Sequence, residues 1–256
     1  GPVSIAMHFN VAARLARYSV DQASTVDDDP ETVRAAIEAL LRQRVDAIVV
    51  IATTFASLEL VRSLDIAIPI IASASTPRRS PRVVSIDQYR GARTAVRHLA
   101  ERGHRRIYHL TGPLTAPDSA ERVRGWRDEL SEHRLEATEP LLGDWTAESG
   151  YHVGLTLDVE PGSAIFASND LSALGLLSAL RERGLRVPED ISVVGFDDVP
   201  EAAFFSPPLT TVRQDFAALG RQIMQKVLHA LEDGDTETID TPLPTELVVR
   251  ASTQQR

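Results

Sequence analysis

Apolar positions along this chain fall into two patterns. Short unbroken runs suit buried strands, and stripes three to four residues apart suit one-faced helices. Residues 27–44, DDDPETVRAAIEALLRQR, open on acids and a proline and place Val33, Ala36, Ile37, Leu40 and Leu41 on one face, which predicts a helix. The run DAIVVIA (46–52) follows as a buried strand, then a helix near 55–64 and strands at 68–74 and 83–86. The series then restarts. Helices are predicted at 91–103, 120–132, 147–157 and 171–182, alternating with strands at 105–112, 138–142, 163–170 and 191–198.

Such alternation predicts βαβ units around mostly parallel sheets, in two halves of similar plan. Both ends of the chain depart from it. Residues 1–18 read as a helix with Val3, Met7, Val11 and Leu15 four apart, and no strand precedes them. A doubly wound sheet opens with a strand, so the expectation is a chain trimmed at its N-terminus. After a strand at 209–214, a long amphipathic helix from Asp215 lines up Phe216, Leu219, Ile223, Val227 and Leu231. Strand-like pieces at 237–243 and 245–252 close the chain.

Composition narrows the function classes. Hydrophobic residues make up 43% and charged residues 25% of the 256, the balance of a soluble globular protein large enough for one or two lobes. The apolar runs are strand-sized, far below the roughly 20 residues of a membrane span, so no membrane partner is expected. No secretory signal is present, and the absence of cysteine excludes disulfide and thiol chemistry. Thirty-six acids against 27 bases, a net charge of −9, make this chain by itself a poor ligand for nucleic acid, which a separate basic module would reverse.

In open parallel sheets, ligands bind beyond the carboxyl ends of the strands. Four such ends carry polar residues: the loop after IYHL, then FASND, VVGFDD and TTVRQD. Arg122 offers a rigid fork of donors or is one of several surface arginines. Asn169 and Asp170 cap a helix, or one caps while the other faces a ligand. Asp197 and Asp198 invite a metal, yet no histidine or third acid stands at ligand spacing; hydrogen bonding to hydroxyls by one and to backbone N–H by the other fits better. Gln214 is a cleft residue or a turn cap. Trp145, in GDWTAESG (143–150), is a core residue or a flat platform. His98, His104 and His109 fall on a helix, a turn and a strand and need not converge. No nucleotide-binding glycine loop, nucleophile elbow or zinc-protease motif occurs, and no nucleophile has an evident base, so neither a cofactor nor catalysis is expected.

Taken together, HLAERGHRRIYHLTGPL, RVRGW, GDWTAESG, FASNDLSALGLLSALRERGLRVPEDISVVGFDD and SPPLTTVRQDFAALG resemble the effector-binding core of the LacI/GalR family of bacterial transcription repressors, the lactose-type members most of all. The resemblance covers essentially the whole chain and is strongest over 98–220. It implies an α/β fold of two doubly wound, Rossmann-like lobes with parallel-sheet cores, the periplasmic-binding-protein-like type I fold with three crossovers. The N-terminal lobe would take 1–86 and 215–240, less its first strand, and the C-terminal lobe 87–214 and 241–256. The family's helix-turn-helix module is absent from this chain. Residue by residue, the resemblance makes Arg122, Trp145, Asn169, Asp197 and Gln214 effector contacts, with Phe216 nearby. Where lactose-type repressors place an acid at the end of the strand at 68–74, this chain has Ala74 between Ser73 and Ser75. Those serines stand as candidate contacts, and β-galactosides are thereby in doubt.

The implied ligand is a neutral sugar, with Trp145 as the platform for its C–H face. The implied partners are a second copy of the chain and operator DNA bound through the missing module, in the cytoplasm. The N-terminal helix and the face of 27–44 suit a two-fold interface. The competing reading is a periplasmic sugar-binding receptor of a transporter.

Overall fold

The computed structural model describes residues 1–25, 29–76, 80–160, 162–232 and 239–256. The described chain divides into two compact units, one of residues 1–86, 115–118 and 215–243, the other of 87–114, 119–214 and 244–256. Each is an α/β layer structure with a parallel-sheet core, so the fold read from the motifs is the fold observed.

In the first unit, β1 (Ile48–Ile51), β2 (Ile70–Ser73) and β3 (Val83–Val84) pair in parallel, in sheet order β1-β2-β3. Helices α1 (Pro2–Leu15), α2 (Pro30–Arg42) and α3 (Phe55–Ser63) come from the N-terminal part, and a long helix, Phe216–Glu232, returns to this unit. Strand alternation sends Ile70 and Ala72 toward α2 and α3, where Val33, Ile37, Leu58 and Val61 pack, and Ile71 toward α1 and the long helix. Asp29 caps α2 by accepting from the Glu31 and Thr32 backbone N–H groups at 2.9 and 3.1 Å; the first residues of the predicted 27–44 helix, 27–28, lie outside the described residues. The stripe that marked α1 in the sequence is not the one that packs. Ala12 and Ala13 are buried with Ile5 and Phe9 against the core, whereas Val3 and Leu15 are 83% and 80% exposed and Met7 and Val11 over half exposed.

The second unit contains α4 (Gln88–Glu101), β4 (Ile107–Thr111), α5 (Pro117–Glu132, whose first two residues count with the other unit), β5 (Leu141–Leu142), α6 (Ala147–Thr156), β6 (Ala164–Ala167), α7 (Asp170–Glu182), β7 (Ser192–Asp197), β8 (Thr210–Gln214) and β9 (Thr245–Val248). The long helix between β8 and β9 is α8. Sheet order is β5-β4-β6-β7-β8-β9, parallel throughout except for β8 with β9. On one face Trp126 and Leu130 of α5 with Val96 and Leu99 of α4 cover Ile107, Phe166, Val194 and Phe196; on the other, Leu176 and Leu180 of α7 cover Tyr108, Leu110, Ile165 and Val193. Glu129, fully buried on α5, accepts from Arg93 at 2.5 Å and Arg97 at 2.6 Å on α4 and ties the two helices.

The structure trims several predicted strands. The stretch at 138–142 pairs only at Leu141–Leu142, because the acids before it are solvated. The strand predicted to run to 170 ends at Ala167, since Asn169 already caps α7. Helix α5 begins at Pro117 rather than 120, proline being suited to a first turn. Of the piece at 237–243, residues 237–238 lie outside the described residues, and the remainder makes only a bridge between Leu243 and Ile86. A 3₁₀ turn at Pro200–Phe204 had no periodic signal.

Candidate functional site

Strands β4, β6, β7 and β8 are consecutive neighbours in the second sheet, and all run parallel. Their carboxyl ends therefore lie side by side, and the polar residues that follow them are brought together by topology.

Arg122 stands in the second turn of α5, 4% exposed, with its guanidinium carbon 3.9 Å from the centre of the Phe196 ring. Its Nη1 donates to the Ser168 carbonyl at the end of β6. Its Nε donates to Gln88 Oε1 at 2.9 Å. Gln88 Nε2 donates in turn to Gln214 Oε1 at 2.7 Å, and Gln214 Nε2 to Asp197 Oδ1 at 2.5 Å. Arg122 Nη2 lies 3.9 Å from that same Asp197 oxygen. Four side chains from α4, α5, β7 and β8 thus form a closed polar circuit. In its low-polarity surroundings each planar group fixes the next. The surface-arginine reading of Arg122 is ruled out by its burial. Gln88 went unnoticed in the sequence because it looks like an ordinary polar residue in the first turn of a helix; Asp87, which caps that helix through the Arg90 N–H at 2.9 Å, is the visible signal.

Asn169 and Trp145 form the next part. Asn169 Oδ1 accepts from the backbone N–H of Ser172 at 2.9 Å, which is the cap reading, while its Nδ2 donates to the Trp145 carbonyl at 2.9 Å. One side chain thus caps α7 and fixes Trp145, whose backbone sits in the left-handed region at φ 70°. The half-buried indole lies against the backbone at the end of β4: a Cβ on Gly112 would fall 2.0 Å from Trp145 Nε1. Nε1 itself is buried and has no hydrogen-bond partner among the described residues.

The acid pair at the end of β7 divides its work differently from the expectation. Among the described residues Asp198 binds no backbone N–H; it accepts from Arg213 and Arg250, each at 2.7 Å. Backbone satisfaction comes instead from Asp170, which accepts from the Val199 N–H at 2.9 Å and from Thr211 Oγ1 at 2.6 Å. Burial first, and the Asp197 and Asp198 charges as well, push the Asp170 carboxyl up to about 7. Asp197 and Asp198 both take left-handed backbone, at φ 111° and 56°. No group of three or more metal-ligating side chains occurs among the described residues.

Beneath the circuit, His109 stacks on Phe166 at 4.5 Å between centroids and donates from Nδ1 to the Phe166 carbonyl at 2.9 Å. Burial holds it neutral, with its pKa down at about 3. It is a core histidine, and neither His98 nor His104 joins it: His98 bonds Thr253 and His104 the Gly162 carbonyl.

Three expected residues belong to the first unit. Ser73 ends β2 and is buried. Ser75 donates from Oγ to the Ile86 carbonyl at 3.0 Å and from its backbone N–H to Asp118 at 3.2 Å. Phe216, half-buried, packs at the edge of the α1–α8 core.

A family model, the periplasmic binding protein-like domain, matches residues 96–253. The transcriptional repressor PurR of Haemophilus influenzae (strain PittEE) is 33% identical over 235 residues, 88% of this chain and 69% of that protein. The lactose operon repressor of Escherichia coli is 37% identical over 166 residues, 64% of this chain and 46% of that protein. Among solved structures, a dimeric Lac repressor superposes with a TM-score of 0.91 at 28% identity, covering 100% of this chain and 95% of that one. The complex of the transcriptional regulator CelR with cellobiose gives 0.86 at 30% identity, covering 98% and 78%. Strand-end circuit, sheet order and these likenesses agree: the chain belongs to the LacI/GalR family of transcriptional regulators and is its non-catalytic, effector-sensing, periplasmic-binding-protein-like domain.

Proposed function

We propose that the chain senses a small neutral sugar, with Arg122, Trp145, Asn169, Asp197 and Gln214 as contacts in the second unit and Ser73, Ser75 and Phe216 as candidate contacts in the first. The observation that carries this reading is the circuit of Arg122, Gln88, Gln214 and Asp197 at adjacent strand ends. Planar groups held in this way present paired donors and acceptors to vicinal hydroxyls, and leaving any of them unmatched in a buried complex is costly. Asp197 balances the charge of Arg122, which favours a neutral ligand over an anion. The indole of Trp145 has one side on Gly112, leaving the other for the C–H face of a ring.

Kinship with the regulators above supports a cytoplasmic homodimer that acts on operator DNA through a helix-turn-helix module. The apolar residues Val3, Met7, Val11 and Leu15, exposed along α1, form part of the two-fold contact. Ligand binding then changes DNA affinity by favouring one conformational state over another.

The test is a thermal-shift screen against neutral mono- and disaccharides, their phosphates, nucleosides and purines, repeated with Trp145→Ala. A saccharide shift in the wild-type chain that vanishes in the variant is expected. Stabilisation by purines or phosphates alone, or a saccharide response indifferent to Trp145, overturns the site.

A further inference from the structure

We propose that Asp170 is a positioning residue, holding the turn that carries Asp197 at a fixed distance from Asn169 and so setting the spacing of two effector contacts. The proposal rests on the reading of Asn169 and Asp197 as ligand contacts.

Capping does not require Asp170. The N-terminus of α7 is already closed by Asn169, whose Oδ1 takes the Ser172 N–H. The Asp170 side chain instead turns into the protein and is 1% exposed. Its two oxygens serve two other elements: Oδ1 accepts from Thr211 Oγ1 on β8 at 2.6 Å, and Oδ2 from the Val199 N–H just beyond β7 at 2.9 Å. A single carboxylate therefore joins the start of α7, strand β8 and the turn after β7. Space for it is made on β7, where a Cβ on Gly195 would fall 2.3 Å from Asp170 Oδ1.

That turn needs an external hold. Asp197 and Asp198 sit at φ 111° and 56°, conformations that non-glycine residues keep only when their surroundings over-determine them. Besides the hold of Gln214 on Asp197, two restraints act on the residues that follow. Asp198 is gripped by Arg213 and Arg250, and Val199 by Asp170. The grip on Asp198 fixes the turn to β8 and the chain after β9; Asp170 fixes it to the helix that Asn169 begins.

Among the described residues Asp170 has no ion-pair partner. The charged groups around it are Asp197 and Asp198 on the turn, Arg213 and Arg250 bound to Asp198, and Arg122 at 3.9 Å from Asp197. Its titration near neutrality, forced by burial and the two neighbouring carboxylates, gives a reporter that needs no ligand.

Three measurements on the 256-residue chain test the assignment. In the wild-type chain, the Val199 amide resonance is expected to shift with the same midpoint as the Asp170 carboxyl carbon. Asp170→Ala is expected to lower hydrogen-exchange protection at Val199 by about tenfold, the loss of one hydrogen bond to a charged acceptor, and Asp170→Asn, which keeps an acceptor, to restore most of it. Calorimetry with cellobiose and glucose as probes is expected to show at least about tenfold weaker binding in Asp170→Ala than in Asp170→Asn.

A Val199 amide indifferent to Asp170's titration, unchanged protection in Asp170→Ala, or equal loss of binding in both variants overturns the proposal. If Asp170→Ala does not fold, the wild-type titration and Asp170→Asn decide. If the wild-type chain binds neither probe, the reading of Asn169 and Asp197 as contacts for such sugars fails while the Val199 measurements still decide the tie.

Discussion

Asp170 makes a quantitative prediction about stability. In the folded chain its carboxyl titrates near 7, against an ordinary value of 3.8, because burial and the charges of Asp197 and Asp198 disfavour its ionised form. The folded state therefore retains a proton that the unfolded state has released. Stability contributed in this way is fully present below pH 3.8 and is lost as pH rises through 7. A group displaced by that much weakens the fold by about 4 kcal/mol once the pH is well above 7.

Asp170→Asn removes the titration but keeps the shape. Its amide oxygen can take the Val199 N–H while its nitrogen donates to Thr211 Oγ1, since a hydroxyl accepts as readily as it donates. Urea unfolding of both proteins at intervals from pH 4.5 to 8.5 isolates the effect, because every other titrating group cancels in the difference. The advantage of the variant over the wild-type chain is expected to grow by about 3 kcal/mol from pH 4.5 to pH 8.5, the part of the full change that lies above pH 4.5. A difference that does not change with pH, or a variant less stable at pH 8.5, refutes the reasoning.

Further predictions follow from single contacts. Gly112→Ala puts a methyl group where Trp145 Nε1 lies, 2.0 Å away, and should displace the indole, seen as a shift in tryptophan emission together with loss of any saccharide response. Gln88→Leu breaks the circuit at its centre and leaves Gln214 Oε1 and Arg122 Nε without this partner; saccharide affinity should fall by about tenfold or more in calorimetry. Met7→Glu charges an apolar face of α1 that is exposed in the single chain, and should lower dimer content in sedimentation without changing the melting temperature of the monomer. Glu129→Gln keeps one acceptor for Arg93 and Arg97 but removes the charge they share, and since both arginines are partly exposed it should destabilise by about 1 kcal/mol in urea unfolding.

Legibility in the sequence followed the range of the interaction. Strand and helix identity were readable because each depends on a periodicity within a few residues: VVSI, IYHL and AIFA are runs that only a sheet interior accepts. Their boundaries were less so. Asn169 and Asp170 stood at a strand–helix junction with either able to cap; Asn169 is the cap, while the side chain of Asp170 reaches β8 instead. The stripe of Val3, Met7, Val11 and Leu15 correctly marked a helix but named the wrong packing face, since a stripe destined for another surface has the same period as one destined for the core.

Local pattern alone determined that this chain is α/β, that its sheets are mostly parallel, and that polar residues follow four of their strands. Hydrophobic periodicity and turn chemistry act over a handful of residues, so they are written where they operate. The circuit through Gln88, the tie from Asp170 to Val199 and the double grip on Asp198 came from the packed fold. Their members lie 126, 29 and 52 residues apart, and at such separations no spacing rule connects a donor to its acceptor. Only the order of strands in the sheet brings those ends together, and strand order is set by the global packing of helices on both faces rather than by any one segment.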